Sequence, residues 1–402
     1  VPQRTLSRDG YIREVIESNL TLAAERTNVP IAQAQISVAR ILPDPALSVG
    51  ITSLDVSRVG AQNSVAVGLS VPLEWPGRQG ARVDVSMLER QSAEAVLDDA
   101  LRIMRSSAAL AFIAALEAKM QLVVARQSLD SLERFVLANQ VRLRAGDIGE
   151  VPLIQARVEA ERYRADVLTA EGDANARAVA LRGYLGPQAP SALRIDPSGD
   201  LREAPLTVHD DALVARALSE RADIRAQRLS QAASSARIRL TRVNRGVDVV
   251  LGLGWQFFFA GEQGSAFQAP PYHTVFANVT VPLPISRLNR GLMDSAVSTA
   301  EQAQLRTSAL EVQIENEVRQ AIVRYSASLA ALDVYDRGLL QDSARVLEAI
   351  LYAYQRGGAT LLEVLSAQRT LDDVRSAFVT ALANVSRARI ALAAAVGSAY
   401  PL

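Results

Sequence analysis

The chain has no cysteine in its 402 residues, which excludes disulfides and thiolate metal sites. Histidine is nearly absent: His209 and His273 stand far apart in the sequence, so a His/Cys metal cluster within one chain is excluded, and His273 reads as an isolated surface residue. Met87, Met104, Met120 and Met293 are scattered, form no soft-metal ladder, and read as packing residues. An excess of one charge is lacking too. The 43 basic residues balance 43 acidic ones, leaving no electrostatic footprint for nucleic acid. Lysine occurs once, at Lys119, a compositional trait in an arginine-rich chain. Aromatics are 5% against 49% hydrophobic residues, so the apolar content is Ala, Leu, Val and Ile, a mixture suited to long, closely packed helices. No uninterrupted apolar run approaches the roughly 18 residues of a membrane-spanning helix; the longest, Ala108–Leu116, is about half that. No catalytic constellation is present, so an enzyme reading has no supporting residues. The chain begins with Val1, without the apolar core of a signal peptide, as a processed or trimmed product would. A soluble helical protein and a transmembrane β-barrel both remain open.

What is present is a duplication. Residues 142–186 and 353–397 are two versions of one segment, with Gly146 against Gly357 and Gly186 against Gly397, both 211 positions apart. Upstream, LSVPL at 69–73 matches VTVPL at 279–283, an offset of 210. Ile36, Arg40, Leu47 and Gly50 match Ile238, Arg242, Val249 and Gly252 at 202, so an insertion lies between Gly252 and Val279. The chain divides into a first repeat at 1–186, a connector at 187–208 carrying four prolines, and a second repeat at 209–402.

Each repeat changes period partway. Residues 11–42 carry helical spacing (Ile12, Val15, Ile16, then Ala32, Ile36, Ala39), interrupted near Thr27–Pro30 and ended by Pro43 and Pro45. A period of two follows. Leu47, Val49 and Ile51, then Val65, Val67, Leu69 and Val71, alternate with small or polar residues, giving a hairpin at 46–73. Its counterpart at 247–283 alternates through Val247, Val249, Leu251 and Leu253, then Val275, Ala277, Val279 and Val281, around a longer loop at 260–271. Prolines (Pro72 and Pro76; Pro282 and Pro284) lead out into very long helical patterns at 79–144 and 291–355. A helix of that length spans roughly 95 Å. Glycine-bearing turns at 145–150 and 356–360 lead to return helices at 152–185 and 361–396. Stacked end to end, a return helix and the helix before the hairpin nearly equal the long helix beside them.

Four strands of about ten residues match the length of tilted membrane strands but cannot close a barrel, and lipid tolerates no open edge. Three copies would pool twelve strands. Val65, Val67, Leu69, Val71, Val275, Val279 and Val281 would then face lipid, with Ser, Gly and Ala facing a wet lumen. Trp75, Trp255, Phe257 and Tyr272, at strand ends with Phe258 and Phe259, fit aromatic girdles at the membrane boundaries, with ordinary packing as the alternative. Glu89, Arg90, Glu94, Asp98 and Asp99 on the first long helix read as solvated faces. The competing reading is a soluble helical scaffold whose hairpins mediate assembly. The environment of Val65, Val67, Leu69 and Val71 separates the two.

The twofold order of helix, hairpin, proline exit, long helix, turn and return helix resembles the TolC family of outer-membrane efflux proteins over nearly the whole chain. The residues carrying the likeness are RLRAGDIGEVPLIQAR, YQRGGATLLEVLSAQRTLDDVR, VPLEWPGRQGAR and VPLPISRLNRG. The resemblance implies a mainly α protein with transmembrane β structure, trimeric, with a 12-stranded barrel in outer-membrane lipid and a 12-helix periplasmic tunnel. It implies no cofactor and no enzymatic activity. The implied role is the exit duct of a tripartite pump, with a periplasmic adaptor and an inner-membrane transporter of the resistance-nodulation-division type as partners. The Pro-Leu-Pro exit before Arg-Leu-Asn-Arg-Gly is most similar to the cobalt-zinc-cadmium branch, so heavy-metal cations are the expected substrate. Drug-efflux and type I secretion ducts share the fold and stay open. Family members carry acidic residues spaced i and i+3 at the closed periplasmic end; here the pair is Glu363 and Ser366, one carboxylate fewer. Three converging Glu363 side chains would attract cations and repel one another. Thr360-Leu-Leu-Glu363 is equally a helix capping box. By resemblance the adaptor docks on the turns, at Arg144, Gly146, Asp147 and Gly149 and at Arg356, Gly357, Gly358 and Thr360. Helix reversal is itself a sufficient reason for glycine there.

Overall fold

The computed structural model describes residues 3–52, 63–187, 190, 193–206, 210–260, 270–283, 286 and 290–398. His209, Pro284, nearly all of the first hairpin loop and most of the second lie outside the described residues. The chain forms two compact units, Val1–Thr27 with Val96–Ile224 and Leu310–Leu402, and Asn28–Ala95 with Arg225–Ala309.

Strand β1 (Gln3–Ser7) leads into α1 (Arg8–Ser18), whose N-cap Ser7 accepts the Gly10 N–H at 3.3 Å. Helix α2 spans Leu20–Ala39. The break between them is at Asn19, not near Thr27–Pro30, and Pro30 lies inside α2. Asn19 serves both helix ends at the break. Its backbone is extended, its N–H reaches the Val15 carbonyl, and its Oδ1 accepts the Leu22 N–H at 3.0 Å. At the exposed Pro30 a single backbone bond is lost where water can replace it.

Strands β2 (Ala46–Thr52) and β3 (Ser64–Leu73) precede α3 (Arg78–Ala145) and α4 (Glu150–Arg182). Then come β4 (Arg194–Ser198), α5 (Asp210–Glu220), α6 (Ala222–Val243), β5 (Val249–Phe258) and β6 (Tyr272–Thr280). The second hairpin is thus shorter than 247–283, and Val247 and Val281 fall outside its strands. The second long helix is not continuous either. It consists of α7 (Arg290–Val334), a π-helical turn (Tyr335–Leu339) and α8 (Leu340–Gln355), because Gly338 sits at φ 133, which breaks the regular ladder. Helix α9 (Leu361–Val396) closes the chain. Helices α3 and α9 each hold an 18-residue window apolar enough by composition to cross a membrane, 39% and 61% buried. The uninterrupted-run criterion missed both, since averaging over abundant alanine tolerates isolated polar residues.

The first unit is built on α1, α4, α5, α8 and α9 with parts of α3 and α7. Tyr11, Phe112, Ile113, Leu181, Ile195, Leu201 and Ile390 share one buried cluster, with Met104 and Met120 packed against it. A second cluster joins Ile224, Ile314, Val318, Tyr325 and Leu392. The described residues of the connector are tied to the helices around them. Strand β4 pairs in parallel with β1, Lys119 Nζ donates to Asp196 at 2.6 Å and the Pro197 carbonyl at 3.1 Å, and Ser386 donates to the Leu201 carbonyl at 3.0 Å. The return helices end against breaks in the short helices. Asn19 Nδ2 donates to the Tyr184 carbonyl at 2.9 Å and Tyr11 to the Leu181 carbonyl at 2.8 Å, and a methyl on Gly186 would overlap Ser18. Arg221, at the junction of α5 and α6, donates to the Ala395 carbonyl at 3.0 Å, and a Cβ on Gly397 would lie 2.7 Å from Arg221 Cγ. The two glycines matched by sequence therefore meet equivalent crowding.

Candidate membrane sheet and helical turns

The second unit carries a four-stranded antiparallel sheet in the order β2-β3-β5-β6. Register follows from the period of two, since a slip of one residue would invert each face. Across the strands, Val49, Val67, Trp255 and Val275 form one row, Leu47, Leu69, Leu253 and Ala277 the next, and Val71, Leu251 and Val279 a third. This apolar face is exposed, reaching 78% at Ile51 and 74% at Val275. The opposite face holds Ser48, Gly68, Gly254 and Phe276 in one row and Ser70, Gly252 and Asn278 in another. Its glycines make room for larger neighbours: a Cβ on Gly254 would overlap the Phe276 ring, and one on Gly252 the Asn278 side chain. Among the described residues, β2 and β6 each lack a partner on their outer side.

The candidate boundary aromatics divide by face. Trp255 stacks on Phe257 at 6.2 Å and on His273 at 5.3 Å, all on the apolar face. Tyr272 belongs to the opposite face, stacked on Phe258 at 4.7 Å. Trp75 lies beyond β3, where its ring occupies the space a Gly246 side chain would need and its backbone N–H donates to Asp248 Oδ1 at 3.0 Å. The arginines of VPLEWPGRQGAR, which sequence reasoning did not single out, tie this exit down. Arg78 pairs with Asp248 and donates to the Gly246 carbonyl at 2.8 Å, while Arg82 pairs with Glu74 and donates to the Ile41 carbonyl at 3.1 Å.

In the first unit, the two turns share one hydrogen-bond pattern. Gly146 has φ 81, with Gly146 N–H to the Leu143 carbonyl and Asp147 N–H to that of Arg142; Gly357 has φ 78, with Gly357 to Tyr354 and Gly358 to Ala353. This Schellman-type closure requires the left-handed conformation that glycine adopts without cost. Arg144, Asp147, Arg356 and Gly358 are exposed. The turns touch through Arg142, whose guanidinium sits 4.8 Å from the centre of the Tyr354 ring, and through Tyr354, which donates to Asn139 at 2.9 Å. They differ at the following helix start. Gly149 offers α4 no side-chain cap, whereas Thr360 caps α9.

The capping box at Thr360 is fully formed. Glu363 Oε2 accepts the Thr360 N–H at 2.6 Å and its hydroxyl at 2.9 Å, and Glu363 N–H donates back at 3.3 Å. The bond from the Thr360 amide, then that from its hydroxyl, holds the Glu363 carboxyl below the ordinary range. Ser366, exposed one turn on, takes no part in the cap; its carbonyl accepts the Thr370 hydroxyl at 3.0 Å. One further turn along α9, Arg369 forks onto buried Glu159 of α4 with both bonds at 2.9 Å, and Arg162 adds a contact at 3.4 Å. Asp372 accepts from Tyr163 at 2.9 Å, Ser128 at 2.5 Å and Gln368 at 2.9 Å. Burial and then the Asp372 charge raise the Tyr163 hydroxyl well above its usual value. No group of three or more His, Cys, Asp or Glu among the described residues is placed to hold a metal.

A mainly helical chain bearing a small antiparallel sheet with one exposed apolar face leaves that face for lipid or protein to cover. The model of the family described as outer membrane efflux protein matches residues 11–187 and again 213–398. The chain belongs to that family: it is an outer-membrane efflux protein. The cobalt-zinc-cadmium resistance protein CzcC of Cupriavidus metallidurans is 25% identical over 374 residues, covering 92% of this chain and 85% of CzcC. The pyoverdine export outer membrane protein OpmQ of Pseudomonas putida is 24% identical over 412 residues, covering 95% and 83%. Among solved structures, CusC superposes with a TM-score of 0.78 at 18% identity over 98% of this chain and 92% of its own. VceC of Vibrio cholerae gives 0.75 at 19% identity over 98% and 96%.

Proposed function

We propose that the chain is the exit duct of a tripartite metal-efflux pump, working as a trimer. Three four-stranded sheets close into a 12-stranded barrel in outer-membrane lipid, and the helices of three copies form the periplasmic tunnel. The observation that carries this reading is the sheet itself: four strands whose apolar rows are exposed and whose outer edges, β2 and β6, lack partners among the described residues. In lipid such edges must be paired. Val65, Val67, Leu69, Val71, Val275 and Val279 then face acyl chains, with Val281 just past the strand end. Trp75, Trp255 and Phe257 lie at the membrane boundaries, and Tyr272 faces the lumen side of the rim. The turns at Arg144–Gly149 and Arg356–Thr360 dock the periplasmic adaptor, which joins the duct to an inner-membrane transporter of the resistance-nodulation-division type. Glu363 and Ser366 lie at the periplasmic constriction, where a ring of Glu363 carboxylates favours cations.

Heavy-metal cations as substrate rest on the likeness to CzcC over most of both chains. The comparable likeness to OpmQ supports a second reading, export of an organic molecule. Deleting the gene and measuring growth across cobalt, zinc, cadmium and siderophore concentrations decides between them. Lost tolerance to the metals, restored by the intact gene, supports metal efflux; unchanged metal tolerance with a loss of siderophore export refutes it.

A further inference from the structure

Beside the strand exits of the second unit, a cleft of about 360 Å³ is lined by Arg78, Thr241, Asn244, Arg245 and Leu292. Its chemistry is cationic and hydrogen-bonding on one side and apolar on the other. Arg78 is only 8% exposed and commits its two terminal nitrogens to Asp248 and the Gly246 carbonyl. Its Nε is buried without a hydrogen-bond partner among the described residues, and the same holds for Arg245 Nε. A buried donor left unmatched is costly, and two guanidinium donors on one cleft are the pattern that a phosphate oxygen satisfies. The Asp248 carboxylate offsets one of the two charges, so the site keeps a net positive charge. Thr241 and Asn244 add neutral donors, and Leu292, in the first turn of α7, supplies an apolar wall.

We infer that this cleft binds a phosphate-ester anion, and that its natural occupant is the headgroup phosphate of a membrane phospholipid. The source of the phosphate rests on the barrel reading above: if the sheet spans the membrane, the residues just past Leu73 and just before Val249 lie where headgroups lie. Gly77, at φ 86 between the strand exit and Arg78, turns the chain there. Anchoring each exit to a headgroup would fix the depth of the barrel in the bilayer, a task usually shared with interfacial aromatics such as Trp75.

Native mass spectrometry of the detergent-extracted protein tests this, with phosphatidylglycerol, uncharged diacylglycerol and inorganic phosphate each titrated in turn. Phosphatidylglycerol should bind at one molecule per chain and diacylglycerol should not. Arg245→Gln should weaken the lipid by about tenfold, the loss of one charge-assisted bond, and Arg245→Lys should recover part of it. Capture of inorganic phosphate without lipid would keep the anion site and overturn the headgroup as occupant. Equal binding of phosphatidylglycerol and diacylglycerol, or no effect of Arg245→Gln, would overturn the site. The same spectra report subunit number: trimers without lipid count against this inference alone, and monomers count against the barrel reading.

Discussion

Replacing Arg369 by Met should destabilise the protein more than replacing its partner Glu159 by Met, although the same ion pair is lost. The asymmetry comes from burial. The Glu159 residue is 7% exposed while the Arg369 side chain is 47% exposed. With Glu159 gone, Arg369 swings into water and the cost falls to about 1 kcal/mol, near that of an exposed pair with some lost packing. With Arg369 gone, a buried carboxylate loses both of its short bonds. Breaking a buried pair from one side costs about 3–5 kcal/mol, and Arg162 at 3.4 Å offsets part of that, leaving about 2–3 kcal/mol. The double replacement should resemble Glu159→Met alone, because no uncompensated charge remains. Thermal unfolding in detergent followed by helical circular dichroism reads the order. The pH profile supplies a second readout. The hydrogen bonds from Arg369, aided by the charges of Arg162 and Arg369 and opposed by burial, hold the Glu159 carboxyl below its ordinary value. Its stabilisation is therefore complete above the unfolded carboxylate value and is lost as pH falls through the depressed one. Glu159→Gln should flatten that acid limb. Equal losses from the two single replacements, or a double loss equal to their sum, would refute the reasoning.

Three other outcomes are expected. Glu363→Gln preserves the capping box, so unchanged thermal stability with reduced cation selectivity in planar-bilayer conductance would assign Glu363 to the pore, and unchanged selectivity would leave only the cap. Glu363→Ala should lower the melting temperature through the lost reciprocal bond, where Glu363→Gln does not. Gly397→Ala should cost more than the roughly 1 kcal/mol of a left-handed alanine, because the new methyl would also press on Arg221, whereas Gly357→Ala, with open space around it, should cost that strain alone; paired melting curves separate the two. Gly254→Val should displace Phe276 and lower heat resistance of the oligomer on denaturing gels, and Gly50→Val, with open space, should not.

The strands were legible because alternation of period two leaves little choice of register, and the turns because a helix reversal demands glycine at Gly146 and Gly357. The helix break at Asn19 was misplaced because proline is a louder signal than asparagine, although Asn19 serves both helix ends, closing α1 with its backbone N–H and capping α2 with its side chain. Gly338 gave no warning, since one glycine in a long helical pattern is usually tolerated. Strand β4 was hidden for a different reason: its partner β1 lies more than the whole first repeat away, and parallel pairing across that distance leaves no local pattern. Lys119, dismissed as composition, pins that strand. Of the proposed gate, the capping role of Glu363 was legible from four residues, while any convergence on an axis depends on further copies of the chain.

The central claim is closure of the sheet between copies, and the absence of cysteine makes it directly measurable. Ser48→Cys on β2 would be paired in turn with Thr274→Cys, Phe276→Cys and Asn278→Cys on β6, then treated in membranes with a short bifunctional thiol reagent. Within one chain β3 and β5 separate the pair by three strand spacings, roughly 14 Å, beyond the reach of the reagent. The account predicts a covalent ladder that stops at three times the 43.2 kDa chain for at least one pair. Monomers only, from all three pairs, or a ladder running past three, would contradict it.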